Sequence, residues 1–150
     1  MKPLLIYLLF GCASAFAADT PTDPEPSAAQ RMEAGRSAVQ AKNWPAAITE
    51  FKAAVKEEPG NADAHNLLAY SFRKQVKPDL SKAFEHYRTA LKFNPDHKGA
   101  HEYIGEAYLM DKKPAEAEKH LADLERICGN KTCEEYVDLA SAIAQYKLQQ

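Results

Sequence analysis

The chain has 150 residues, of which 45% are hydrophobic and 27% are charged, a composition typical of a single globular domain. Its formal net charge of -2 at pH 7, without a basic cluster, gives no indication of nucleic acid as a partner. The sequence also contains no Gly-rich phosphate-binding loop, which argues against a nucleotide site.

The N-terminus has the features of a bacterial export signal. Lys2 supplies a positive charge, residues 3–10 are apolar and uncharged, and Ala15-Phe16-Ala17 places small residues around one free position. The pattern predicts cleavage after Ala17 and a periplasmic or exported protein, with residues 1–17 removed. The apolar run is shorter than the ~20 residues that a membrane-spanning helix needs.

A second processing route stays open. Residues 9–12, Leu-Phe-Gly-Cys, resemble a lipoprotein box, in which Cys12 would carry a lipid. Membrane attachment is expected only in that case. Residues 18–27 hold three prolines and three acids without a large apolar residue, and they are predicted to form a disordered tether.

From residue 28 onward the chain repeats itself. Small residues recur at Ala47, Ala83 and Ala117, and each is followed four residues later by a large one: Phe51, Tyr87 and Leu121. The repeat predicts three helix-turn-helix units, 28–61, 62–97 and 98–131. The second unit is two residues longer, and the extra residues fall in its turn, around Lys77-Pro78. An insertion there is tolerated, whereas inside a helix it would rotate the apolar face.

Residues at the helix ends agree with this division. Proline near the start of a helix is expected at Pro45 and Pro114, and proline after a helix end at Pro59 and Pro95. Good N-cap residues occur at three helix starts: Asn61, Asp79, and Asn94 or Asp96.

A further helix is predicted after the third unit. Gly129-Asn130 indicates a helix stop, and Thr132 with Glu135 resembles a capping box. Apolar residues at helical spacing then run from about Cys133 to Lys147. Residues 132–150 are therefore expected to form a helix that covers the end of the array.

Residues 28–131 resemble the tetratricopeptide repeat, a unit of about 34 residues built from two antiparallel helices. The second and third units carry the match through these segments and positions: 68–72 with Ala83, Tyr87, Ala90 and Pro95, and 104–108 with Ala117 and Leu121. The resemblance implies an all-α solenoid of three units plus a capping helix. The C-terminal tail, from Cys128 on, is also similar to that of small exported bacterial repeat proteins, some of which are assigned to TonB-type envelope systems.

The resemblance implies a function in protein binding. Stacked helix pairs curve, and the first helix of each unit lines the concave side, which in this family holds peptides or partner helices. Eight residues are expected to face outward there: Met32, Arg36, Asn66, Tyr70, Arg73, Glu102, Glu106 and Leu109. The protein is thus expected to be an envelope adaptor or assembly factor that binds a peptide, a folded domain or a second copy of itself.

Catalysis and cofactors find no support, because no His lies beside a Ser or Cys in a recognisable arrangement. His65 and His101 align with Arg31 in the repeat, which indicates packing. His97 and His101, at i and i+4, could hold a metal ion as an alternative function.

The two cysteines outside the export signal favour a structural disulfide in an oxidising compartment. Cys128 and Cys133 would then join the third unit to the last helix. A redox switch at the same pair is the alternative.

Overall fold

Residues 24–150 are described by the computed structural model, and within them every regular element is an α-helix. Their bounds are α1 Ala28–Gln40, α2 Trp44–Glu57, α3 Ala62–Lys74, α4 Leu80–Phe93, α5 Lys98–Met110, α6 Pro114–Cys128 and α7 Glu134–Leu148. Consecutive helices pack together, so the chain forms three hairpins followed by a single helix. The predicted all-α solenoid is confirmed.

The predicted signal peptide, the lipoprotein box and most of the tether lie outside the described residues. Residues 24–27 precede α1 without regular structure, and Ser27 caps that helix through a reciprocal capping box with Gln30. Among the described helices, none is both long and apolar enough to cross a membrane.

Most of the predicted helix ends are confirmed. Asn61 and Asp79 cap α3 and α4 through their side-chain oxygens, and Gly129 ends α6 in the left-handed conformation, with φ of 68°. The N-cap of α5, however, is His97, whose Nδ1 accepts the backbone N–H of Ala100.

Two N-cap predictions are therefore wrong. Asn94 is the C-cap of α4, and Asp96 lies one residue before the α5 cap. Thr132 does not cap α7 either, because that helix begins one residue later, with Cys133 at the N-cap position and no side-chain hydrogen bond.

The turns explain the irregular spacing of the repeat. In the first and third hairpins the turn contains a lysine with positive φ, Lys42 at 54° and Lys112 at 59°. A left-handed residue lets the chain reverse within three residues, as Ala41–Asn43 and Asp111–Lys113 do. The second hairpin uses the longer segment 75–79, which holds the two extra residues and has no positive-φ residue.

The two helices of each hairpin meet at small residues. Ala47, Ala83 and Ala117 are all completely buried, which lets the helix backbones approach closely. Large side chains one turn later, Phe51 and Tyr87, fill the remaining space and are also completely buried. Close packing of this kind supplies most of the folding free energy of a small helical protein.

The last helix closes the array as predicted. Leu139 and Ile143 of α7 are buried with Leu109 of α5 and Leu124 of α6 in a second apolar cluster. Helix α7 therefore contacts both helices of the third hairpin and covers apolar surface that would otherwise face water.

A polar pair bridges the two helices at the same place in each hairpin. In the first hairpin it is an ion pair between Arg31 and Glu50, whose Nη1 and Oε2 atoms are 3.0 Å apart. In the other two it is a pair of histidines that face each other through their Nδ1 atoms: His65 with His86, and His101 with His120. Burial lowers the pKa of His86, and it lowers that of His120 to about 4. Those two rings are therefore uncharged near neutral pH.

A substitution at Gly35 would test how closely α1 and α2 must pack. A Cβ atom there would lie 2.7 Å from Cδ1 and Cζ of Phe51, whose completely buried ring has no room to move. We expect Gly35→Ala to lower the free energy of unfolding by about 2 kcal/mol, since overpacking outweighs the gain in helix propensity. Chemical denaturation would measure the loss.

Gly99→Ala is the matched control. Its Cβ would meet nothing closer than Nδ2 of Asn66, at 3.4 Å, so stability should stay unchanged or rise by up to about 1 kcal/mol. Equal effects of the two substitutions would contradict this view of the hairpin contact.

Candidate functional site

The first helices of successive hairpins lie side by side. The ring centres of Tyr70 in α3 and Tyr103 in α5 are 4.8 Å apart, and Nη2 of Arg73 lies 2.6 Å from Oε2 of Glu106. Helix α5 in turn packs against α7. We call the surface formed by α1, α3, α5 and α7 the concave face, because stacked helix pairs curve toward their first helices.

Arg73 organises the centre of the concave face. Its side chain is only 6% exposed, because the guanidinium is paired with Glu106, donates from Nε to the hydroxyl of Tyr87, and lies near the rings of Tyr70 and Tyr103. A buried cation with these contacts fixes the position of both tyrosine rings. Arg73 therefore acts mainly by holding its neighbours in position, because its own charge is already paired.

Asn66, one turn before Tyr70 on α3, has an unused hydrogen-bonding atom. Within residues 24–150, its Oδ1 is the one buried side-chain nitrogen or oxygen that lacks a partner. A buried acceptor without a hydrogen bond costs about 1–3 kcal/mol. A ligand that donated an N–H group to this oxygen would recover that cost.

Acidic side chains crowd one part of the concave face. Glu102 is 8% exposed, and burial raises its pKa to about 8, with further contributions from Glu106 and from Asp138 and Glu135 of α7. Near neutral pH its carboxyl group is therefore mostly protonated. A cation arriving beside it would favour the charged form.

Three aromatic side chains extend along the surface beside these polar groups. Trp44 meets Tyr70 edge to face at 6.1 Å between ring centres, and Tyr70 continues to Tyr103. All three rings remain partly exposed. Partly exposed aromatic rings in fixed positions are frequent anchors in protein interfaces.

The predicted contact residues differ in accessibility. Arg36 is exposed, and Tyr70 and Glu106 are partly exposed, but the other five are buried: Met32, Asn66, Arg73, Glu102 and Leu109. The expectation that all eight face outward is therefore wrong, because neighbouring helices and the apolar core cover five of them. Met32 lies in the main apolar core, and α7 covers Leu109.

The structure adds four residues that the sequence reasoning missed. Trp44 directly precedes Pro45 at the start of α2, and Tyr103 directly precedes the matched segment 104–108. Glu135 and Asp138 come from the capping helix, which the repeat pattern does not place beside α5. Tyr103 does not align with Tyr70 in the repeat, because Tyr70 corresponds to Glu106, so the repeat pattern gave no signal for Tyr103.

The proposed metal pair His97 and His101 is not brought together. His97 caps α5 through Nδ1, and its Nε2 lies 2.9 Å from Oδ1 of Asp63. His101 points instead to His120 and to the carbonyl of Pro95. The i, i+4 spacing alone did not show these competing partners.

The geometry at Cys128 and Cys133 fits the predicted disulfide. Their Cα atoms are 6.3 Å apart, within the range that disulfides span, and the two sulfur atoms are at bonding distance. A bond there joins the end of α6 to the N-cap of α7. Its presence in the cell remains a prediction that depends on export.

Comparison with known proteins identifies the repeat. The family model described as tetratricopeptide repeat matches residues 32–93 and 79–131, which together are more than half of the 150 residues. Among curated proteins, none matches this sequence closely enough to serve as a relative.

Three solved structures show the fold. The TPR2B domain of yeast Sti1, in a complex with pHsp70, has a TM-score of 0.73 at 16% identity, covering 82% of this chain and 98% of its own. The Yersinia enterocolitica type III secretion translocator chaperone SycD has a TM-score of 0.72 at 17% identity, covering 81% and 92%. The first TPR of Spaghetti (RPAP3), bound to the HSP90 peptide SRMEEVD, has a TM-score of 0.70 at 18% identity, covering 83% and 94%.

Glu102 offers a test of the acidic part of the concave face. Since its folded pKa of about 8 exceeds the unfolded value of 4.5, the folded state holds the proton between these values. This group's contribution to stability is therefore largest at low pH and is lost as the pH rises through 8. We expect Glu102→Gln to match the unsubstituted protein near pH 4.5 and to be more stable by about 1–2 kcal/mol above pH 8.

Denaturation at a series of pH values would measure this difference. Glu85→Gln, at an exposed position of α4, controls for the simple loss of a charge. A Glu102→Gln curve parallel to that of the unsubstituted protein would show that Glu102 is not held in its protonated form.

Proposed function

Because the chain belongs to the tetratricopeptide repeat family, we propose that it is a non-catalytic adaptor that binds an extended segment of another protein along the concave face. The observation that carries this proposal is the buried, unpaired Oδ1 of Asn66 on the same helix as the partly exposed Tyr70. Rotation of the Asn66 side chain toward the surface would let this amide oxygen accept a backbone N–H of the bound segment, while the Tyr70 ring covers one of its side chains.

The charge of the surface selects the partner. Glu106 of α5, with Glu135 and Asp138 of α7, lies near enough to Glu102 to raise its pKa, and the cation Arg73 is already paired with Glu106. Because Glu102 is mostly protonated near neutral pH and Glu106 is paired with Arg73, the free negative charge lies mainly on Glu135 and Asp138. A lysine, an arginine or a free amino terminus in the bound segment would neutralise it. The partner is therefore expected to carry a positive charge where it meets α5.

The similar structures support the binding mode but differ in charge. The first TPR of Spaghetti (RPAP3) is bound to the peptide SRMEEVD, which contains three acids. The middle of α5 in this chain carries the acids Glu102 and Glu106, so the concave face is expected to select a segment of different charge.

We place this adaptor in the bacterial cell envelope. The support is the export signal of residues 1–17 together with a cysteine pair whose geometry fits a disulfide, a bond that forms in oxidising compartments. A role in a TonB-type system, which the C-terminal tail implies, remains a prediction within this proposal.

Affinity capture from an envelope extract would test the binding surface. The protein is compared with a variant that carries Asn66→Ala and Tyr70→Ala, and bound proteins are identified by mass spectrometry. We expect a partner that the double variant loses, with the affinity for a peptide from that partner reduced at least about tenfold.

The matched control carries Glu85→Ala and Arg88→Ala at exposed positions of α4. Circular dichroism checks that both variants fold. A partner retained by the concave-face variant and lost by the α4 variant would place binding elsewhere. If the captured protein is a second copy of this chain, the concave face serves self-association and the adaptor proposal is wrong.

The location is tested by the mature N-terminus and the cell fraction. We expect a chain that begins at Ala18 in the periplasm, with Cys128 and Cys133 protected from a thiol reagent until reduction. A lipid on Cys12 would establish the anchored alternative, and an intact Met1 with free thiols would contradict export.

A further inference from the structure

We infer that His101, His120 and Asp123 form a binding site for a divalent transition-metal ion such as Zn²⁺, between the two helices of the third hairpin. One donor atom from each residue lies within 4.8 Å of the other two. This site is separate from the concave face, and nothing in the proposed adaptor function requires it.

The hydrogen bonds of His101 leave the correct nitrogen free for a metal ion. Its Nε2 lies 2.8 Å from the carbonyl oxygen of Pro95, and because a carbonyl only accepts, Nε2 must carry the proton. In the neutral ring, Nδ1 then holds a lone pair. A carbonyl that fixes the tautomer of a histidine in this way is a common second-shell feature of metal sites.

The opposite histidine can supply a second lone pair. Nδ1 of His120 lies 2.9 Å from Nδ1 of His101, so without a metal the Nδ1–H of His120 donates a hydrogen bond to that lone pair. If the proton of His120 moves to Nε2 through exchange with solvent, the ring stays neutral and both Nδ1 atoms face the same point. A cation can then replace the shared proton.

Asp123 completes the set and gives it a negative charge. It lies one turn after His120 on α6, and its Oδ2 is 3.8 Å from Nδ1 of His101. Tetrahedral Zn²⁺ with nitrogen and oxygen ligands at 2.0–2.2 Å needs donor atoms about 3.3 Å apart. Two of the observed separations lie on either side of that value, and the third, between His120 and Asp123, is within 4.8 Å, so side-chain rotations can bring the three donors to one ion.

The repeat itself provides an internal comparison. The pair His65–His86 of the second hairpin has the same geometry, with 3.0 Å between the Nδ1 atoms and 3.0 Å from Nε2 of His65 to the carbonyl of Pro59. At the position that corresponds to Asp123, however, it has Thr89. Packing accounts for a histidine pair in both hairpins. The carboxylate of Asp123 has one other partner, Arg126, through its second oxygen, Oδ1, at 3.6 Å, which leaves Oδ2 directed to the histidines.

The site is also accessible. The side chain of Asp123 is 42% exposed, whereas the imidazole side chain of His101 is 7% exposed. An ion can thus enter from the α6 side and be held against a buried ligand. Three protein ligands leave a fourth position for water, as in open zinc sites.

Calorimetric titration of the untagged protein with Zn²⁺ tests the inference. We expect one ion per chain, bound at micromolar or lower concentration, and a Co²⁺ complex with the absorption of a tetrahedral site. Asp123→Thr, which gives the third hairpin the composition of the second, should weaken binding at least about tenfold, and His120→Gln likewise.

A gain of binding makes the test sharper. Thr89→Asp should create a second site at His65 and His86, so that the stoichiometry rises from one ion to two. His120 and Asp123 are only partly buried, and circular dichroism would check that their variants fold.

Three results would overturn the inference. The first is no Zn²⁺ binding below about 100 µM, and the second is an affinity that neither Asp123→Thr nor His120→Gln changes. The third is binding that disappears when Cys128 and Cys133 are both replaced by serine, since these cysteines with Glu135 form the other group with ligand spacing among the described residues.

Discussion

The close approach of paired helices at Ala47, Ala83 and Ala117 is the constraint on which the rest of the structure depends. Because each alanine is completely buried, no larger side chain fits there without separating the helices. Successive hairpins then pack through α2 against α3 and through α4 against α5, which brings α3 beside α5. The contacts between Tyr70 and Tyr103, and between Arg73 and Glu106, follow from that arrangement. Packing thus positions the side chains that are available for binding.

The polar pair within each hairpin shows how one packing position accepts different chemistry. The first hairpin holds the ion pair Arg31–Glu50, and the later hairpins hold histidine pairs. All three satisfy the same requirement, which is that polar atoms between two helices must find partners. The third hairpin adds Asp123 beside its pair, with Oδ1 near Arg126 and Oδ2 near His101.

The fold followed from the sequence because spacing, small residues and helix ends agreed with one another. The site followed less well, since burial depends on neighbours that a repeat pattern does not include. Leu109 is covered by α7, and Arg73 is engaged by Tyr87 and Glu106, although both occupy positions expected to face outward. His97 shows the same limit, because its role as the cap of α5 depends on the local backbone and not on its distance from His101.

Site-specific photo-crosslinking in living cells tests the central claim, that a partner occupies the concave face, most directly. Replacement of Tyr70 by the photoreactive residue p-benzoylphenylalanine keeps an aromatic ring at a partly exposed position of α3, and the same replacement of Arg88 places the probe on an exposed position of α4. The account predicts one defined adduct from position 70 and none from position 88. An adduct from position 88 alone would show that the partner binds the opposite side of the array.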